Sequence, residues 1–388
     1  MNRSVRLCTL LLGLCILLNF CASPSFLAHA EAAGPEVSAK ACILMDAQTG
    51  QVVYALNAEE KRPMASTTKI MTTLLTLESG GLDTPFPVDS QAIQVEGSSM
   101  GLQTGDIVTK RALCIGMLLP SGNDAANAAA VAVAGDIPRF LDMMNDRAKQ
   151  IGMTRTYFAS PSGLDAEGHG ASAHDMARLA REALRNPEFA EICCQPSMTV
   201  SFGNPPYART LKNTNKLLTM DSSIIGVKTG FTDAAGRCLV SACRRDDRTL
   251  ICVTLFDRND WNDHLALYDY GFSLAQDYTV QLPHDLTAAA EGGDRLSVPV
   301  YAKDSLTLTA WRGIPPQPQI TVLLPPFLTA PLPKGSQVGM LVCRTDCGEI
   351  ARLPLYTAAD LVCTDPEPEP FHLLEWFKRL FRADKNVA

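Results

Sequence analysis

The sequence has little of what redox, metal or nucleic-acid chemistry requires. Aromatic residues make up 6% of the 388 positions, and the histidines include no H-E-x-x-H arrangement, so a zinc-hydrolase site has no foundation. Cysteine is more frequent, at 13 residues, yet no two form a C-x-x-C pair, which removes the common thiol-exchange and zinc-ribbon patterns. Basic residues do not dominate: Lys+Arg 34 stand against Asp+Glu 41, a formal net charge of -7, the wrong balance for a chain built to neutralise phosphates. Charged residues amount to 19% and hydrophobic ones to 46%, so a disordered chain is excluded as well. The length leaves room for two or three domains of roughly 100–200 residues.

The apolar run at residues 7–20 is too short to favour a membrane span. Arg3 and Arg6 precede it, and Ala28-His29-Ala30 supplies small residues at a cleavage point. This is the layout of a secretory signal peptide over 1–30, with the mature chain starting at Glu31 and working outside the cytoplasm. Lipoprotein processing at Cys21, three residues after Leu18, competes with that reading, but Phe20 is bulky where such a site wants a small residue. Among the cysteines left after export, Cys42, Cys114, Cys238 and Cys252 lie in apolar runs and read as small hydrophobes. Cys343 and Cys347 bracket a hairpin turn and are positioned for a bridge across it. His169 and His174 read as surface loop residues.

Two apolar runs at 41–46 and 51–56 form a hairpin around a Gly-containing turn. From Ser66, apolar residues recur at three and four positions, so a helix runs towards Gly80; further helices are expected over 112–119, 125–133, 140–151 and 173–184. Strands return at 223–227, 238–243 and 249–256. Strands at both ends with helices between them predict one sheet assembled from distant segments. Together these segments form a first domain over 31–280. Short β-like runs separated by Pro, Gly and Asp then fill 281–363, an all-β domain. A Pro/Glu linker occupies 364–370. In the tail, 371–388, Leu373, Leu374, Trp376, Phe377, Leu380 and Phe381 share an arc of roughly 160° at 100° per residue, and Lys378, Arg379 and Arg382 lie outside it. That pattern predicts an amphipathic helix resting on a bilayer surface.

Ser66-Thr67-Thr68-Lys69 is the one place where a lysine follows a serine by three residues. On a helix this spacing puts both on one face, so the amine can reach the hydroxyl, and a serine hydroxyl needs a base at that distance to act as a nucleophile. Ser121-Gly122-Asn123 places a hydroxyl and an amide on a turn between apolar helices, where buried polar groups need a partner or a task. Lys228-Thr229-Gly230 ends a strand, and its glycine lets a ligand lie close to the backbone. A helix cap and a strand-end turn are the bland readings of the last two. The three in this order are the signature of penicillin-recognising serine enzymes.

Residues 37–275 resemble the low-molecular-mass penicillin-binding proteins of the S11 peptidase family, the D-alanyl-D-alanine carboxypeptidases, and Phe256 to His264 resembles the variant common in the sporulating Gram-positive branch. The likeness extends to Glu96-Gly97-Ser98-Ser99-Met100-Gly101-Leu102, Ser121 to Ala126, Met144-Asn145 with Ala148, and Lys228 to Leu239. The stretch 330–339 resembles the family's β-rich C-terminal domain, and the tail its membrane anchor. The resemblance implies an α+β fold: a serine β-lactamase/transpeptidase-like catalytic domain, with an antiparallel sheet flanked by helices, followed by a small all-β domain and an amphipathic helix. It implies no cofactor and no metal, and as partners the D-Ala-D-Ala end of peptidoglycan stem peptides, β-lactams as inhibitors, and the outer leaflet of the cytoplasmic membrane.

By the same resemblance, Ser66 attacks the carbonyl between the last two D-alanines and Lys69 takes its proton. Ser121 relays a proton to the departing D-alanine, Asn123 holds the peptide amide, and Lys228 and Thr229 face the substrate carboxylate. Gly230 and Phe231 complete the strand edge, with the N–H groups of Ser66 and Phe231 as oxyanion donors. An arginine expected after the last strand has no clear counterpart; Arg258 and Arg237 are the substitutes. Two other functions share parts of the pattern. A serine β-lactamase also needs a Glu-x-x-Leu-Asn loop, and the nearest stretch, Glu182-Ala183-Leu184-Arg185-Asn186, does not place Leu beside Asn. A penicillin-binding or wall-binding module with a dead site would not need an intact Ser66, Lys69 and Lys228.

Overall fold

The structure is a computed structural model that describes residues 34–364. The export signal, most of the Pro/Glu linker and the amphipathic tail expected from sequence lie outside these residues. Five antiparallel strands form the main sheet: β1 (Ala41–Asp46), β2 (Val52–Leu56), β3 (Ile224–Thr232), β4 (Gly236–Arg245) and β5 (Arg248–Leu255), in the spatial order β2-β1-β5-β4-β3. The N-terminal hairpin therefore completes a sheet whose other strands arrive some 170 residues later, the architecture expected from strands at both ends.

Strand β1 is apolar at nearly every position because both faces of the sheet are covered. Ala41, Ile43 and Met45 join the large core under the helices, whereas Cys42 and Leu44 join a second cluster with Leu267 and Tyr268. Successive strand side chains point to opposite faces, so a continuous apolar run marks a strand buried on both sides. Helix α1 (Lys69–Glu78), α2 (Lys110–Leu118), α3 (Asn123–Ala134), α4 (Ile137–Gln150), α5 (Ala173–Leu184) and α6 (Pro187–Cys193) build the first layer. Their N-termini are fixed by side chains: Thr109, Asp136, Ser172 and Asn186 each accept a backbone N–H as an N-cap. Helix α7 (Asp260–Ser273) covers the opposite face.

Several elements depart from the sequence expectation, among them the short helix α6, helix α7 and one hairpin. Helix α7 has only a scattered apolar pattern, and acidic residues dominate its first turn, so periodicity does not reveal it. A hairpin of Ser197–Gly203 with Pro206–Lys212 is largely exposed and lacks the usual Asn-Gly or Asp-Gly turn.

The second region is all-β. Strand β6 (Ala275–Thr279) pairs with β9 (Thr307–Trp311). A six-stranded sheet runs β10 (Gln319–Leu323), β12 (Gln337–Thr345), β13 (Gly348–Thr357), β8 (Ser297–Ala302), β7 (Leu286–Glu291) and β11 (Leu328–Thr329). Pairing thus begins at Ala275, before residue 281. Trp311 of β9 is buried in the α7 cluster, edge-on to Phe272 at 6.3 Å between centroids. The bridge between Cys343 and Cys347 is not made: both thiols are free, Cys343 inside the β core and Cys347 half-buried at the turn. No helix among the described residues is long and apolar enough to cross a membrane.

Candidate active site

The serine of the first motif sits on a 3-10 turn, Ala65–Thr68, that runs directly into α1. Ala65 has φ 48°, a left-handed conformation that turns the chain sharply before Ser66. Gly163, itself at φ +85°, presses against this turn; a Cβ there would lie 2.0 Å from the Ala65 carbonyl oxygen. On the other side Gly230 of β3 lies so close that a Cβ would stand 3.0 Å from the Ser66 nitrogen. Glycine is required at both places by close approach of the nucleophile turn itself.

One helical step on, the Lys69 amine is fully buried, with Nζ 2.9 Å from Ser66 Oγ, 2.6 Å from Asn123 Oδ1 and 2.6 Å from the Ser162 carbonyl oxygen. Burial, with the Lys228 ammonium as a second cause, holds the amine well below the ordinary lysine range, against the pull of Asp124. The amide of Asn123 has one orientation, because its Nδ2 donates to the Glu96 carbonyl at 2.7 Å. Neither Asn123 Oδ1 nor the Ser162 carbonyl can donate. A neutral amine has two N–H bonds, which these two acceptors consume, so its lone pair is left facing the Ser66 hydroxyl. That is the arrangement in which a lysine can act as a base.

Asp124 organises the rim. Its carboxylate accepts from Ser99 Oγ and from the backbone N–H groups of Met100, Gly101, Leu102 and Ala125, which shapes the 96–102 loop. Ser121 adopts φ 67° and is 5% exposed; its hydroxyl makes no hydrogen bond among the described residues and faces the cavity. Lys228 is buried in β3, where it donates to the Thr229 carbonyl at 2.8 Å, and burial pushes its pKa down to about 7. The Thr229 and Thr214 hydroxyls are 2.6 Å apart, and Phe231 stands 63% exposed at the mouth.

These groups surround a cavity of about 370 Å³ lined by Ser66, Ser98, Ser121, Thr214, Lys216 and the 229–231 strand edge, with Arg237 and Trp261 also in its wall. Lys69, Asn123 and Lys228 stand behind its wall. Of the two arginines singled out from sequence, Arg237 lines the cavity and Arg258 does not. Arg237 donates to the buried Asp260 at 2.5 Å and lies over the Trp261 ring, 5.2 Å from its centroid. Asp260 and Trp261 were not legible as site residues, because the helix that carries them was not. Asn186 caps α6 and Glu182 pairs with Arg147, so the nearest match to a lactamase deacylation loop takes part in scaffolding elsewhere.

The reading of His169 and His174 as surface loop residues is overturned. His174 lies in α5 beside Glu59, and His169 is 8% exposed, bonded to Thr68 beneath the nucleophile turn. No cluster of His, Cys, Asp and Glu able to hold a metal exists among the described residues.

A serine held against a buried amine of lowered basicity at a helix start, beside a β-strand edge, defines an acyl-enzyme-forming serine hydrolase of the penicillin-recognising type. The chain belongs to the peptidase S11 D-alanyl-D-alanine carboxypeptidase family: that family's model matches residues 28–259, and the C-terminal domain of penicillin-binding protein 5 matches 274–362. It is accordingly a serine-type DD-carboxypeptidase of the penicillin-binding class. Among its relatives, D-alanyl-D-alanine carboxypeptidase DacF of Bacillus subtilis is 29% identical over 92% of this chain and 94% of its own. DacC of Escherichia coli is 34% identical over 86% and 87%. The crystal structure of penicillin-binding protein 5 from Haemophilus influenzae superposes with a TM-score of 0.63 at 28% identity, covering 84% of this chain and 98% of that one.

Proposed function

We propose that Ser66 is the nucleophile that opens the D-Ala-D-Ala bond of a peptidoglycan pentapeptide stem, with Lys69 as its base. The observation that carries this is the set of three contacts to Lys69 Nζ, two of which can only accept, so that a neutral amine must offer its lone pair to Ser66. The Ser66 Oγ–H proton passes to Nζ as Oγ bonds to the penultimate carbonyl carbon. The carbonyl oxygen then carries the negative charge in reach of the Ser66 and Phe231 N–H groups. Collapse of that intermediate expels D-alanine, whose nitrogen takes a proton through Ser121, a free hydroxyl in the cavity. Water then releases the shortened peptide and restores Ser66. A β-lactam follows the first half of this path and stays attached.

Asn123 holds Lys69 in place in the unliganded chain, and its second contact, to Glu96, couples that lysine to the rim loop. The substrate carboxylate is received by Lys228 and Thr229 at the strand edge and by Arg237 on the neighbouring strand. Arg237, the cross-strand neighbour of Phe231, lines the cavity together with a second cation, Lys216. The chain is exported by residues 1–30, and the tail 371–388 holds the catalytic region of 31–280 and the β-rich 281–363 at the outer face of the cytoplasmic membrane. The arc of apolar residues with flanking cations supports that placement.

Incubation of the purified mature protein with a diacylated Lys-D-Ala-D-Ala peptide and with benzylpenicillin tests the reading. D-alanine release together with slow penicillin turnover is the expected result. Rapid penicillin turnover, or no D-alanine, would overturn it.

A further inference from the structure

His169 is a buried imidazole that the catalytic steps above do not use. Its Nδ1 accepts from the Ala159 backbone N–H at 3.1 Å, and an amide N–H can only donate, so the ring proton sits on Nε2. Nε2 lies 2.9 Å from Thr68 Oγ1 and therefore donates to it, which leaves the Thr68 hydroxyl proton for the Ala65 carbonyl at 2.8 Å. The result is a directed chain: Ala159 N–H to His169, His169 to Thr68, Thr68 to the Ala65 oxygen. Phe158 packs its edge against the ring, with centroids 6.4 Å apart. Burial pushes the imidazole pKa down to about 4, with Asp165 opposing and Lys61 adding to the fall, so the tautomer holds at neutral pH.

The last acceptor gives this chain its meaning. The Ala65 carbonyl and the Ser66 N–H belong to one planar peptide unit and point in opposite directions. Fixing the oxygen on the Thr68 side fixes the N–H on the cavity side, where Gly230 passes close to the Ser66 nitrogen. A carbonyl that accepts a hydrogen bond also polarises its own peptide, which makes the N–H a better donor.

We propose that His169 is a positioning residue for acylation: acting through Thr68, it locks the Ala65–Ser66 peptide plane so that the Ser66 N–H faces the developing oxyanion. This rests on Ser66 being the nucleophile. The donor matters on the Nε2 side alone, so two variants of similar size separate the role from simple packing. His169→Gln places an amide N–H near the Nε2 position; His169→Asn places its oxygen near Nδ1 and leaves Thr68 without a donor.

Acylation by a fluorescent penicillin and peptide kcat and KM are measured for both variants, alongside thermal unfolding. The account expects H169Q to acylate within ~3-fold of the parent. It expects H169N to lose ~10-fold or more in acylation rate and kcat with little change in KM, as a misplaced oxyanion donor would. Equal rates for the two variants, or losses that track melting temperature alone, would overturn the proposal. Thr68→Val is the second arm: H169N added to it should cause no loss beyond that of Thr68→Val alone, and additive losses would contradict the relay. Failure of the parent itself to acylate at Ser66 would instead refute the nucleophile assignment.

Discussion

At the residue scale the chemistry depends on two buried lysines and the sign of their shifts. Lys228 lies near enough to Lys69 to depress it, so replacing Lys228 by a neutral residue removes a like charge and lets the Lys69 pKa rise. Lys228→Gln should therefore move the rising limb of the acylation pH profile to higher pH, apart from any loss of substrate binding; an unmoved limb would contradict the coupling. The same group has a stability consequence. Folded Lys228 has a pKa of about 7 against 10.5 for the unconstrained side chain, so between these values the unfolded chain binds the extra proton and stability rises with pH. Lys228→Met should remove up to ~1.4 kcal/mol per pH unit of that slope, read from denaturant unfolding at pH 7.5 and 9.5. Ser66, Lys69, Ser121 and the 228–230 edge were legible from motif spacing, because the spacing follows from helix and strand geometry, whereas Phe231 came from the family resemblance. His169 was not, since its partner Thr68 lies about a hundred residues earlier in the chain.

At the element scale, the turn that carries Ser66 is wedged between a loop and a strand edge. Gly163 is the tighter contact, combining a left-handed φ with a backbone oxygen in the place of a Cβ. Gly163→Ala is expected to cost ~1–3 kcal/mol and to lower acylation more than peptide binding, since the shift falls on the nucleophile turn. Calorimetry and penicillin labelling check both parts. Helices α1 to α5 were readable because each has an apolar stripe over one common core. Helix α7 has a polar start, and its network of His264, Ser241, Thr254 and Tyr268 buries polar side chains that satisfy one another across α7, β4 and β5. No hydrophobic period can report such an interface, so Asp260 and Trp261 were given no site role from sequence although the 256–264 stretch resembled a family variant.

Across the whole molecule, the β-rich region is docked by features that composition could not reveal. Trp311 fills a gap in the α7 cluster, and the buried Arg181 guanidinium donates to the Ala47 and Gln48 carbonyls of the β1–β2 turn and to Cys347 of the β12–β13 turn. Trp311→Ala is expected to cost ~3–5 kcal/mol and to split thermal unfolding into two steps, while Ser66 still acylates. Deletion after Thr364 should release the protein from membranes and leave peptide hydrolysis intact; loss of both would contradict the anchor.

The central claim is that Ser66 forms the acyl-enzyme with the neutral Lys69 amine as its base. The direct measurement is peptide-mapping mass spectrometry of protein quenched after exposure to benzylpenicillin, for the parent, Ser66→Ala and Lys69→Met. The account predicts one adduct, on the peptide containing Ser66, absent in Ser66→Ala and formed at least ~100-fold more slowly in Lys69→Met. An adduct on another residue, or undiminished labelling of Lys69→Met, would contradict it.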